Sequence, residues 1–200
     1  KRYLENLDCR TTWLDYLNQA QKRYNPFRNI IIRHYLKYVD KIFAVSHALK
    51  DALSQNKIGN IEVIHNGIDV EDWKIDPALV EGFKKKHNLQ DKKIILFGGR
   101  ISGLKGSEKI NQAIVKVKKE IPEAFLLTAG SSGLGWLQGD DLKAAYHSAQ
   151  LVVTPSIYLD PFPTVNLEAM ACQKPVVGTH YGGTPEIVKD GITGYIVNPL

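Results

Sequence analysis

Cysteine and methionine are scarce in this 200-residue chain, which holds two of the first and one of the second. Cys9 and Cys172 are too few for a disulfide framework and stand at no metal-ligand spacing, which fits a reducing compartment. No apolar run approaches the roughly 20 residues of a membrane-spanning helix. The opening KRYLENLDCR lacks the apolar stretch of a signal peptide. The expected compartment is the cytoplasm, with peripheral contact at the inner membrane face left open. There is no starting Met, so a fragment of a longer protein is expected. No His, Cys and carboxylate group together along the chain, so neither a metal site nor a cofactor is expected. Nucleic-acid-binding motifs are missing as well, and the net charge of +5 reads first as solubility.

What the chain does carry is the composition of a soluble globular protein, 44% apolar and 24% charged, with enough length to bury a core. Strands and helices alternate along it. TTWLDYLNQAQKRY places Trp13, Leu14 and Leu17 at helical spacing, and Asn25-Pro26 ends that run. A second helix, about 28–38, sets Ile31, Ile32, Tyr35 and Leu36 on one side. KIFAV reads as a short buried strand, Ser46 as the N-cap of the next helix, and IEVI as another strand closed by a turn at Asn66-Gly67. His65 receives no chemistry. Residues 73–76 read as a linker, and Asp76-Pro77 opens a helix with Pro at its first position.

The apolar strand KIILF then runs into Gly98-Gly99-Arg100-Ile101-Ser102-Gly103-Leu104-Lys105-Gly106, after which Ser107 is the expected helix cap. A strand, a glycine-rich loop with two cations and a helix is phosphate-binding architecture. It is neither a P-loop nor a dinucleotide fingerprint, because neither spacing is present. AFLLTAG is a further strand, and Asp140-Asp141 read as charges at a helix start. LVV forms a strand before a Pro-broken loop, and TVNLEAMAC brings Leu167, Met170 and Ala171 to helical spacing. Asp160 thus lies in a loop at a strand's carboxyl edge, and Glu168 lies within the first turns of the following helix. Acids beside an anion-binding helix start suit a ligand with both phosphates and hydroxyl-bearing rings. Thr184 is the expected cap of a short helix with Pro185 first, and Glu186 reads as a charge at that helix's own start.

Several of these stretches resemble the family-4 retaining glycosyltransferases of GT-B fold. The resemblance lies in an acid, seven residues and then Glu in LEAMA before PVV. It also lies in GR followed by KG, in GG-x-PE-IV with DG-x-TG, and in the VSHALKDAL to HNGID run. Asp160 stands where the family usually has Glu, and Pro163 where it has Gly. The resemblance implies an α/β chain with Rossmann-like three-layer parallel sheets, shortened relative to the family. Residues 1–75 would belong to the end of the acceptor-side domain and its linker, and residues 76–200 to the donor-binding domain. The family shows a further helix and strand after the stretch matching Gly130. Here residues 131–134 join the pieces directly, so either an omitted segment or a reduced sheet is expected. Gly135 to Gln138 are weak candidates for lining a base pocket.

The implied reaction is metal-independent retaining transfer of a sugar from a UDP- or GDP-sugar to a carbohydrate or lipid-linked acceptor. Arg100 and Lys105 would bind the departing diphosphate. Asp160 would lie by the sugar ring. Gly99, Phe162, Pro163 and Thr164 would bring backbone to the donor, and Glu168 would hold the ribose hydroxyls. A non-catalytic nucleotide-sugar-binding module and a sugar-nucleotide epimerase of the same fold remain open at this stage.

Overall fold

The computed structural model describes residues 26–99, 103–130 and 133–198. The expected helix around Trp13 and Leu17, Cys9 and Arg100 lie outside them. Two parallel sheets share no strand. The smaller pairs β1 (Ile42–Ala44) with β2 (Ile61–Val63), Ile42 opposite Ile61. Helix α1 (Pro26–Leu36) precedes it, and α2 (His47–Gln55) connects its strands. The Ser46 hydroxyl caps α2 by accepting the Leu49 N–H at 3.0 Å, as its position requires. After β2 the chain runs on from Ile64 to Asp69 without the expected turn at Asn66-Gly67. Most of the apolar side read on α1 stands in solvent, with Ile31 56% and Tyr35 67% exposed.

The larger sheet has the order β4-β3-β5-β6-β7, parallel throughout. Its strands are β3 (Lys93–Gly99), β4 (Ala124–Gly130), β5 (Leu151–Thr154), β6 (Val176–Thr179) and β7 (Gly194–Val197). Helix α3 (Pro77–Lys86) leads into β3, and α4 (Ser107–Glu120), α5 (Gly139–Ser148), α6 (Thr164–Ala171) and α7 (Thr184–Ile187) connect the successive strands. Alternate residues of β3 face opposite layers. Ile94 and Leu96 join Phe83, Ala145, Tyr146, Ala169 and Val176 in the main core under α3, α5 and α6. Phe97 turns the other way, onto Ile110 of α4 and Val153 of β5. Because both faces are covered, KIILF is apolar without alternation, as expected of a buried parallel strand. Fully burying each such side chain contributes about 1.5–3 kcal/mol.

Asp76 caps α3 through the Ala78 N–H at 2.8 Å, with Pro77 at the helix start as expected. Two other caps fall one residue earlier than Ser107 and Thr184. Gly106, with φ +73°, caps α4, and Gly183 caps α7. Both glycines lie tight against neighbouring backbone, where a side-chain cap has no room. At the joint after β4, the Gly130 N–H donates to the Gly135 carbonyl at 2.7 Å and the Leu134 N–H to the Thr128 carbonyl at 3.0 Å. The chain closes on the end of its own strand, leaving β4 at the edge of a five-stranded sheet. No described helix is long and apolar enough to cross a membrane.

Candidate functional site

The strand order decides where a ligand crevice can form. From β3 the chain steps outward to β4, then returns to lay β5 on the other flank of β3. The connections therefore diverge between β3 and β5, and in an open parallel sheet such a point, at the carboxyl edge, is where ligands bind. The loops leaving these two strands are the glycine-rich loop and the loop 155–163.

These loops are joined before any ligand is considered. The Ile157 N–H donates to the Leu104 carbonyl at 2.9 Å. A side chain at Gly106 would overlap the Pro155 carbonyl oxygen, so this left-handed position admits glycine alone. Lys105 Nζ lies 2.5 Å from Asp160 Oδ2 and 5.3 Å from the centre of the Tyr158 ring. Asp160 is almost fully buried, whereas the Lys105 side chain keeps 31% of its surface in solvent. Burial lowers the Lys105 pKa, but the Asp160 carboxylate and the Tyr158 hydroxyl outweigh it and leave the ammonium above its usual value. Two residues expected to serve separate ends of a donor are thus in direct contact. From the opposite side, the Gly183 N–H donates to the Asp160 carbonyl at 2.9 Å, and Gly182, with φ +73°, lies against the Asp160 backbone. Gly182 and Gly183 thus hold this loop through their backbone.

The loop leads into α6. Phe162 and Pro163 are buried, and Thr164 is the exposed first residue of the helix. Pro163 occupies the N-cap position and offers no side-chain cap to the first N–H groups. Glu168, one turn in, accepts a hydrogen bond from the Tyr146 hydroxyl of α5. Burial first, and then the Glu168 charge, hold that phenol protonated well above its ordinary pKa, so it is a dependable donor. Trp73 stands edge-on to Tyr146 at 5.3 Å, so the expected linker is packed onto the core here. Gly99 ends β3 at its carboxyl edge, in register with Gly130. The weak base-pocket candidates 135–138 precede α5, with Trp136 64% exposed.

Sequence reasoning gave His65 no role and Glu186 only a local one, and the structure brings both together beside Phe162. The His65 ring stacks flat on Phe162 at 4.9 Å and 9°. Its Nε2 lies 3.0 Å from Glu186 Oε2. Glu186 does not serve only its own helix start. It accepts the N–H groups of His47 at 2.8 Å and Ala48 at 2.9 Å, capping α2 from 138 and 139 positions away. Burial works against ionising Glu186, but these N–H groups and His65 prevail and hold its carboxyl below the usual range. A cap supplied from a distant element leaves no local spacing to read. A cavity of about 650 Å³ opens beside this cluster, with Lys41, His47, Lys50, Glu62 and His65 among its walls.

Residues 132–200 match the profile of the glycosyl transferases group 1, and residues 9–72 that of Glycosyltransferase Family 4. An uncharacterised glycosyltransferase of Methanocaldococcus jannaschii is 35% identical over 185 residues, 80% of this chain and 47% of that protein. Alpha-maltose-1-phosphate synthase of Mycobacterium tuberculosis is 31% identical over 165 residues, covering 69% of this chain and 42% of the synthase. The crystal structure of Anabaena HepE with UDP and glucose superposes with a TM-score of 0.80 at 21% identity, over 90% of this chain and 55% of that one. The chain spans about half the length of the curated relatives it matches.

Proposed function

Because the chain belongs to the family-4 glycosyltransferases, which have the GT-B fold, we propose that it is the donor-holding part of an enzyme that transfers a sugar from a UDP- or GDP-sugar with retention of configuration. The acceptor is a carbohydrate or a lipid-linked molecule, and the reaction takes place on the cytoplasmic side. The observation that carries this reading is the meeting of Lys105 and Asp160, brought from two loops to the point where the strand order diverges. That Anabaena HepE was solved with UDP and glucose supports the donor class.

As the glycosidic bond to the donor breaks, positive charge builds on the sugar ring and negative charge on the departing diphosphate. Lys105, together with Arg100 from the same loop, stabilises the diphosphate more in the transition state than in the ground state, which is what lowers the barrier. The start of α6 adds backbone N–H groups and the positive end of its dipole. Asp160 serves the sugar side. It is one methylene shorter than Glu, and Lys105 and the Gly183 N–H hold it in place. Glu168, oriented by Tyr146, accepts hydrogen bonds from the ribose hydroxyls. Side-chain cations meet the leaving-group charge, so the transfer itself needs no bound metal.

Calorimetry with UDP and GDP, followed by product analysis with a radiolabelled UDP-sugar and the full-length protein, tests the reading. Lys105→Ala in the full-length enzyme is expected to reduce turnover by about two to three orders of magnitude. Near-normal turnover would discard the leaving-group role. Binding of UDP without transfer would point to a non-catalytic binding module.

A further inference from the structure

We propose that His47, His65 and Glu186 form a binding site for a divalent transition-metal ion, Zn²⁺ being the best fit, which ties α2 and the segment after β2 to α7. The three side chains come from separate elements, and each offers a ligand atom within 4.8 Å of the others. Two imidazoles and one carboxylate are a donor set that Zn²⁺ takes in open sites, with water completing the shell. In a tetrahedron with bonds of about 2.1 Å, ligand atoms lie about 3.4 Å apart. His65 Nε2 and Glu186 Oε2, at 3.0 Å, are already near that separation. The other separations, all within 4.8 Å, would have to shorten toward that value on binding.

The site is supported by a second layer of contacts. Ligands of a metal site are commonly oriented by further hydrogen bonds or packing, and this arrangement strengthens binding. The Glu186 carboxylate is aimed by the N–H groups of His47 and Ala48. The His65 ring is set by its stack on Phe162 and stands edge-to-face with His47 at 5.8 Å and 73°. Both histidines are exposed, which leaves an entry path for the ion. An ion here would cross-link positions far apart in the chain directly under Phe162, and so would brace the loop that carries Asp160. It would be structural, separate from the sugar-transfer chemistry, and the proposal stands whether or not that chemistry is correct.

A helix cap with a His65–Glu186 ion pair and no metal would use the same residues differently, and His47 separates the two. Glu186 reaches His47 through the backbone N–H. His47→Gln therefore keeps the cap and removes a metal ligand. The experiment titrates Zn²⁺ into the untagged 200-residue chain under reducing conditions by calorimetry and repeats the titration with Co²⁺ by visible absorption. The expected result is one bound ion per chain, with Co²⁺ bands of a low-coordinate nitrogen–oxygen site. His47→Gln and His65→Gln should each weaken binding by at least about tenfold, and His180→Gln should leave it unchanged. Circular dichroism melting verifies that each variant is folded. Failure to bind Zn²⁺, or binding weakened by less than about tenfold in folded His47→Gln, overturns the site.

Discussion

Replacing Lys105 by Met would strip the charge from the centre of the site while keeping most of the side-chain volume. Lys105 Nζ and Asp160 Oδ2 are 2.5 Å apart, and at an effective dielectric of about 20 their bare attraction is about 6–7 kcal/mol. Most of this is offset by desolvation, because Asp160 is only 6% exposed and a buried charge surrenders its water. The loss on breaking the pair is a different quantity. With Lys105 gone, Asp160 keeps a long contact to Ser156 Oγ at 3.4 Å and remains a nearly buried carboxylate. Such an orphaned charge costs about 3–5 kcal/mol. Asp160→Asn should cost less, about 1–2 kcal/mol, since the part-exposed ammonium can turn to water. The double variant should resemble Asp160→Asn alone. The coupling from the double-mutant cycle is then the whole of the Lys105→Met loss, about 3–5 kcal/mol.

Urea unfolding of the wild type, both single variants and the double variant measures this. The pH dependence gives a second test. The folded-state pKa of Lys105 is raised above its unfolded value. Its contribution is therefore complete below the unfolded value of about 10.4 and is lost as the pH rises through the folded one. The stability gap between wild type and Lys105→Met should narrow at that alkaline end. A Lys105→Met loss below about 0.5 kcal/mol, or additive single effects, would refute the reasoning.

Tyr146→Phe removes the donor that orients Glu168 and should destabilise the chain by about 1–2 kcal/mol, read by the same urea unfolding; a neutral effect would separate Tyr146 from Glu168. Gly106→Ala, at φ +73° and against the Pro155 carbonyl, should cost more than about 2 kcal/mol and lower the melting temperature by several degrees. An unchanged melting temperature would show that the two loops are not clamped. Burial pushes the Cys172 thiol up to about 11, so native protein should leave Cys172 unlabelled by iodoacetamide at pH 8, with labelling on unfolding, as peptide mapping would show. Because the unfolded thiol ionises first, stability should also fall as the pH climbs from about 8.5 toward that value. Asp160→Asn, which removes the anion competing for Lys105, should tighten UDP binding about three- to tenfold by calorimetry.

Much of the larger sheet was legible because its signals are local. KIILF, AFLLTAG and LVV are apolar runs of strand length between turn residues. Asp76-Pro77 and Ser46 are caps whose partners lie two and three residues away. The two loops of the site could also be located, since a strand followed by Gly-rich or Pro-broken sequence places its loop at a sheet edge whatever the strand order. The order itself could not be read, nor could the contact between Lys105 and Asp160, which are 55 positions apart. The same limit explains the helix α1, whose Ile31, Ile32 and Tyr35 show helical spacing but meet no described core. Periodicity identifies a face without identifying what covers it.

Glu186 shows how far this limit extends. Pro-Glu at the start of a four-residue helix is sufficiently explained by that helix's own dipole, so local reasoning had no residue left over to question. Yet both carboxylate oxygens are used on another element, and one of them also meets His65. Such a residue satisfies a local rule and a distant one at once. Only a variant that separates the two roles can weigh them. Glu186→Ala should destabilise the α2 end far more than its own short helix, because it leaves the His47 and Ala48 N–H groups without their acceptor, at about 1–2 kcal/mol for the lost cap. Hydrogen exchange should therefore accelerate at residues 47–49 in this variant. Acceleration confined to residues 184–188 would return Glu186 to the purely local role.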